Sequence, residues 1–178
     1  MEKSEGGRKM DAMQAILTRK SVRSYTGQKV TDQQVQQIIE AGMRAPSGLA
    51  NEPWRFAIVR DPQVKGNIAQ LTKHTKVLEG ADVLICLFMD NEVGYDLVKD
   101  SNTIGACAEN MLLAAHAMGL GAVWIAEIRK NKDRVAEECG VDPERYDMMV
   151  VIPVGYSAES ADPTPRKRTL DEVIIGRK

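Results

Sequence analysis

Apolar residues along this chain recur at two periods, and the switches between them mark out the elements. Asp11 with Gln14 three residues on is a capping-box pattern, opening a short helix with Met13, Ile16 and Leu17 on one face. That helix runs out at Thr18–Ser21, and a polar turn around Gly27 follows. Thr31 with Gln34 repeats the signature before Val35, Ile38, Ile39 and Met43, a second helical stripe that Pro46 ends. Trp54–Arg60 alternates and is rich in β-branched and aromatic residues, so a strand is predicted. Asp61–Pro62 is an N-cap followed by a proline at the first helical position, with Val64, Ile68 and Leu71 striping one face. Val83–Met89 is a continuous apolar run of strand length, as expected of a central strand buried on both sides.

Asp96–Met118 is the longest helical segment. Its stripe of Ile104, Ala108, Met111, Leu112, Ala115 and Met118 predicts a helix buried at the centre of the domain or of a dimer. Gly119 stops it, and Ala122–Ala126 reads as another buried strand. Asn131–Cys139 is a short helix closed by Gly140. Met148–Tyr156 is the last strand, whose Pro153 predicts an edge position or a bulge. Ser157–Arg168 is polar, proline-rich and basic, and Val173–Ile175 closes the chain with an apolar patch. The pattern is α+β, with four strands and about five helices. No predicted strand runs into a G-x-G-x-x-G turn, so a Rossmann dinucleotide site is unsupported.

Composition narrows the functional classes. At 178 residues the chain is about one domain long. Met1–Lys9 is expected to be a disordered leader and residues 10–178 a single domain. The net charge of −1 offers no global attraction to nucleic acid or anionic membrane, so an anion site must come from a local cluster of cations. Cys86, Cys107 and Cys139 are widely spaced, without C-x-x-C or Cys/His ligand spacing, which predicts no metal site; the strand-like run around Cys86 and the apolar helix around Cys107 predict buried, reduced thiols. A cytoplasmic location is the corresponding default. Neither His74, placed near the end of a polar helix, nor His116 has a neighbouring nucleophile or carboxylate that suggests a triad. The acidic pairs Glu137–Glu138 and Asp142–Glu144 read as solvated helix ends.

Three segments could carry chemistry. Arg19-Lys20-Ser21-Val22-Arg23 sits where helix gives way to extended chain, where alternate residues share a side. Arg19, Ser21 and Arg23 can therefore converge on one anion, with guanidinium forks suited to phosphate oxygens. A solvated basic turn has the same composition and is the commoner outcome for such a run. Ala45-Pro46-Ser47-Gly48-Leu49-Ala50-Asn51-Glu52-Pro53-Trp54 is a loop dense in unusual residues that leads straight into a strand. Pro165-Arg166-Lys167-Arg168 is either a second clamp on the same anion or a solubilising tail.

Taken in order, R-x-S-x-R at Arg19–Arg23, A-P-S-G-x-x-N-x-P-W at Ala45–Trp54, the helix-to-strand run Ala114–Ile125 and Gly155-Tyr156 with the basic cluster after it resemble the nitroreductase-like flavoprotein family. The resemblance spans about Met10 to Ile175. It implies an antiparallel sheet flanked by helices, in a homodimer whose C-terminal tails extend over the partner subunit. FMN would lie at the dimer interface and be reduced by NADH or NADPH in a ping-pong hydride transfer to a nitroaromatic, quinone or similar acceptor. Arg19, Lys20, Ser21 and Arg23 would hold the phosphate, ribityl chain and pyrimidine edge, with Arg166 and Arg168 on the phosphate. Pro46, Ser47 and Gly48 would come from the other subunit, with Asn51 nearby, and the backbone of Ala126 and Glu127 would face the flavin near N5. The flavin carries the chemistry, so no side chain is expected to be an essential acid or base. Many relatives have N-x-Q-P-W or N-N-Q-P-W in the loop, where this chain has Ala50-Asn51-Glu52-Pro53-Trp54; Glu52 leaves reductant and substrate open. Gly80–Ser101 is the one stretch that could hold a small lid, so an open pocket is expected. A flavin carrier or sensor without turnover and same-fold enzymes of other chemistry (ene reduction, dehalogenation, flavin fragmentation) are the alternatives. A non-flavin protein that binds another phosphate ligand also fits the basic residues.

Overall fold

The computed structural model describes residues 10–160, 162 and 165–178. The expected leader, residues 1–9, lies outside them. Helix α1 (Ala12–Thr18) starts where the Asp11 carboxylate accepts from Gln14 N–H at 2.8 Å. Helix α2 (Asp32–Gly42) opens on a complete capping box between Thr31 and Gln34 and buries Val35 and Ile38. Strand β1 (Trp54–Val59) leads through the Asp61 cap into α3 (Pro62–Ala69) and then α4 (Thr75–Gly80). Strand β2 (Val83–Asp90), the long helix α5 (Leu97–Ala117), β3 (Gly121–Ala122), α6 (Lys132–Glu138), β4 (Tyr146–Gly155) and α7 (Leu170–Val173) complete the order.

The four strands form one antiparallel sheet in the order β1-β2-β4-β3. Every residue of β2 is buried, because helices cover both faces of the sheet. Val83, Ile85, Leu87 and Met89 pack with α2 and α5, while Leu84, Cys86 and Phe88 pack with α3, α4 and α6. That two-sided burial is why the segment reads as an unbroken apolar run and not as an alternation.

Four sequence expectations need correction. The strand expected over Ala122–Ala126 is only Gly121–Ala122, followed by a single bridge from Ile125 to Val151. Between them Val123 lies opposite Pro153, which has no N–H to donate, and the ladder is interrupted there. Pro153 is not on an edge strand, since β4 lies between β2 and β3. It shares its lateral side with Val151, whose N–H bonds Ile125, so its missing N–H falls in the gap where β3 has left the ladder. The register slip in β4 is elsewhere, opposite Leu87 and Phe88. Among the described residues the helix count rises to seven with α4 and α7, each of at most six residues and too short to show a periodic stripe. His74 is accordingly the N-cap of α4 and not near the end of a polar helix.

Buried carboxylates tie the connections to this frame. The Asp82 side chain is 2% exposed and accepts from Arg60 Nη1, Lys29 Nζ and Val30 N–H, each at 2.9 Å. Burial pushes its pKa up, but the hydrogen bonds from Lys29, Val30 and Arg60 outweigh that and hold it below the ordinary value of 3.8. A depressed carboxyl stabilises the fold above the unfolded pKa, and the contribution is lost as the pH falls through the folded pKa. The urea midpoint is therefore expected to drop as the pH falls below 3.8. Asp82→Asn should be less stable at neutral pH and lose less on acidification; parallel pH profiles for the two proteins would contradict the assignment.

Candidate functional site

Arg19 is the residue that caps the C-terminal end of α1, and from it the chain runs extended past the end of the sheet. Val22 N–H donates to Ala122 O at 3.0 Å, and the Val22 side chain is buried against Gly121. A Cβ on Gly121 would lie 2.6 Å from Val22 Cγ1, so only glycine admits this close approach. With Val22 directed inward, its neighbours Ser21 and Arg23 point the other way. Arg19, Lys20, Ser21, Arg23 and Arg166 together line a concavity of about 150 Å³. Five residues from two distant stretches of sequence thus meet, four of them cations.

The four cations are not equivalent. The Arg19 side chain is 16% exposed, and its Nε donates to Glu109 Oε1 on α5 at 2.9 Å. The Lys20 ammonium turns toward the C-terminal chain, donating to Ser160 O and lying 3.5 Å from Glu159 Oε2. Glu159 also accepts from Arg23 N–H at 2.6 Å, and that bond, the largest cause, holds its carboxyl below the usual range. Among the described residues Arg23 and Arg166 are in no ion pair, and Arg23 Nη1 donates to Ser21 O at 3.4 Å. Arg168 does not line the concavity; it is 74% exposed and lies 3.9 Å from Glu172 one turn on.

The second candidate segment stands elsewhere. A 3-10 turn over Gly48–Ala50 follows Ser47, and Leu49, Ala50 and Glu52 all have positive φ, at 56°, 55° and 44°. Each such non-glycine residue costs about 1–3 kcal/mol and persists only where its surroundings over-determine it. Here they do. Asn51 Nδ2 donates to Asp100 Oδ1 at 2.8 Å and to Val93 O at 3.2 Å. Asp100, 1% exposed in the first turn of α5, also accepts from Tyr95 N–H at 2.8 Å and Asp96 N–H at 3.0 Å. Burial pushes the Asp100 carboxyl up, but the bonds from Asp96, Asn51 and Tyr95 hold it below the ordinary range. The Tyr95 hydroxyl presses on Gly48, where a Cβ would come within 1.9 Å of it. Residues 91–96 are a short turn against the loop, without an inserted helix. Pro46 and Glu52 are exposed.

Helix α5 measures the separation. Asp100 and Glu109 are nine residues apart, about 13 Å along the axis. Pro46, Ser47, Gly48 and Asn51 therefore do not join Arg19 and Arg23 in one concavity of a single chain. Between the two positions Trp124, 39% exposed, lies against Gly105 of α5. The chain then reaches Ala126 and Glu127, where a 3-10 turn over Glu127–Asn131 begins. Among the described residues the N–H groups of Ala126 and Glu127 donate to no protein acceptor. The Glu127 carboxylate is paired with Lys130 at 2.6 Å and accepts from Thr72 Oγ1 at 2.7 Å. Those bonds, Lys130 first, lower its pKa to about 2. Asn131 Nδ2 adds a bond to Leu71 O at 2.6 Å, clamping the turn to the α3–α4 connection.

Sequence reasoning missed Glu109, Asp100 and Thr72. One signal was available: Glu109 is the sole charged residue between Asp100 and Glu127. Nothing marked Asp100 beyond the ordinary acidic first turn of a helix.

The profile of the Nitroreductase family matches residues 16–78 and 70–156. The chain belongs to the nitroreductase family. An NADH dehydrogenase of Thermus thermophilus is 36% identical over 202 residues, covering 94% of this chain and 97% of that protein. A structure described as a nitroreductase in complex with FMN, from Desulfovibrio desulfuricans, superimposes with a TM-score of 0.88 at 40% identity, covering 93% of this chain and 96% of that one. The NADPH:FMN oxidoreductase of Vibrio harveyi, solved with NAD+, superimposes at 0.81 and 26% identity, covering 93% of this chain and 76% of that one. Among the described residues no helix is long and apolar enough to cross a membrane.

Proposed function

We infer that the protein is an FMN-dependent oxidoreductase that takes hydride from NADH or NADPH and passes it, ping-pong, to a nitroaromatic, quinone or similar small acceptor. The observation that carries this reading is the concavity formed by Arg19, Ser21, Arg23 and Arg166 in a chain of the nitroreductase family. Its residues fit a phosphate monoester: among the described residues the lining has guanidinium forks, one neutral hydroxyl and no carboxylate. Arg19, Arg23 and Arg166 hold the phosphate and Ser21 donates to it, while Lys20 braces the segment against Ser160 and Glu159. Bound FMN would supply the hydride-accepting and hydride-donating centre. The unpartnered amides of Ala126 and Glu127 orient the ring edge, and neither is a titrating group. The Glu127 carboxylate is already engaged by Lys130 and Thr72, so no side chain is assigned as catalytic acid or base.

The dimer supplies the rest of the site. The tail residues Leu170, Val173 and Ile174 are 69%, 57% and 37% exposed, and Ile175 is fully exposed. Met13, Ile16 and Leu17 leave an apolar face of α1 uncovered, at 62%, 50% and 68%. Both patches are explained if each tail crosses to the partner and the α1 face is buried between subunits. The loop that cannot reach Arg19 in its own chain then serves the neighbouring site, where Pro46, Ser47, Gly48 and Asn51 of the partner subunit close over the flavin. Arg168 approaches the phosphate only if the tail moves from its present ion pair with Glu172. A cytoplasmic location accords with this chemistry. The purified full chain is expected to retain FMN, be yellow, and run at twice the 19.6 kDa chain mass. A colourless monomer that does not take up added FMN would refute the reading.

A further inference from the structure

We propose that Glu109 is a positioning residue that aims the Arg19 guanidinium at the cofactor phosphate; the proposal rests on the FMN reading above. Arginine has five N–H donors in a planar fork. Glu109 takes the one at Nε, at 2.9 Å. Among the described residues the terminal amines of Arg19 have no protein partner, and Arg19 lines the concavity. A side chain so oriented presents its paired terminal donors to a ligand without a search over rotamers. Without Glu109 nothing in the described structure fixes the plane of that fork.

Helix α5 makes the arrangement firm. Glu109 and His116 are seven residues apart, two turns on the same face of α5. His116 contacts Thr18 and Glu109 contacts Arg19, so this face grips two successive residues at the end of α1. The Thr18 hydroxyl donates to Gln14 O at 2.6 Å, and therefore accepts from His116 Nε2 at 2.8 Å, which places the imidazole proton on Nε2. A carboxylate beside an anion site opposes the anion, and Glu109 interrupts an otherwise uncharged stretch of α5. Its 46% exposure lets solvent screen that opposition, whereas its hold on Nε keeps the fork oriented.

Riboflavin separates this role from a general one, because it has the ring and ribityl chain without the phosphate. The full chain, stripped of flavin, would be titrated with FMN and with riboflavin by flavin fluorescence. Glu109→Ala is expected to weaken FMN about tenfold and to leave riboflavin within about twofold. Glu109→Gln keeps an acceptor for Nε and should restore FMN affinity toward wild type. Alanine is favourable in a helix and the site is half-exposed, so folding is expected to survive. Equal weakening of both flavins, unchanged FMN affinity, or tighter FMN binding in Glu109→Ala would each overturn the proposal. Wild-type protein that binds neither flavin would instead overturn the FMN reading itself, a result distinct from these.

Discussion

Replacing Arg19 or Arg23 with alanine is expected to weaken FMN binding by about 1.5–3 kcal/mol each, roughly tenfold or more. The size follows from the charge-assisted bonds lost, and from the environment in which they form. Arg19 is only 16% exposed, so its interaction with a dianion is less screened than one on an open surface. Arg23 is exposed and in no ion pair among the described residues, so only its long 3.4 Å bond from Nη1 to Ser21 O competes with a ligand. Arg166→Ala should act in the same direction, being the one contribution from the described C-terminal residues to the concavity. Lys20→Ala is expected to differ, disturbing the segment through Ser160 and Glu159 and so affecting stability as much as affinity. The check is the FMN dissociation constant of each purified variant, with its urea midpoint beside it. Unchanged affinity in both the Arg19 and Arg23 variants would mean that the phosphate lies elsewhere.

Replacing Asp100 with alanine is expected to cost about 2–4 kcal/mol of stability, because it removes a buried charged acceptor with three donors. Asn51 Nδ2, Tyr95 N–H and Asp96 N–H all lose it together. The loop suffers more than that sum implies. Leu49, Ala50 and Glu52 hold left-handed conformations that relax once Asn51 is released. Hydrogen exchange over residues 47–52 should therefore accelerate well beyond the global change in stability. If exchange there merely follows the rest of the molecule, Asp100 is not what restrains the loop.

How far the sequence disclosed this molecule depended on whether the deciding interaction was local. The Thr31–Gln34 cap, the Asp61–Pro62 start and the two-sided burial of β2 were readable because neighbours within a few residues determine them. Alternation also placed Ser21 and Arg23 on one side, since Val22 has to face the core. The shortened β3 was not readable, because it depends on the β3–β4 register, which sets Val123 opposite Pro153 and its missing N–H, and on Trp124 meeting Gly105. Glu109 and Asp100 were missed for the same reason. Each acts through a partner 90 or 49 residues away, and neither partner marks the other in sequence. The Pro46–Asn51 loop was recognisable by its residues, but its separation from Arg19 along α5 needed the structure.

The most direct measurement mixes the FMN-loaded full chain anaerobically with NADH or NADPH and follows the flavin's visible absorption. The account predicts that at least one of the two nucleotides bleaches it, and that adding a quinone or nitroaromatic restores the colour. Absorption that persists with both nucleotides, in protein that holds FMN firmly, would contradict hydride transfer and leave only a flavin-binding protein.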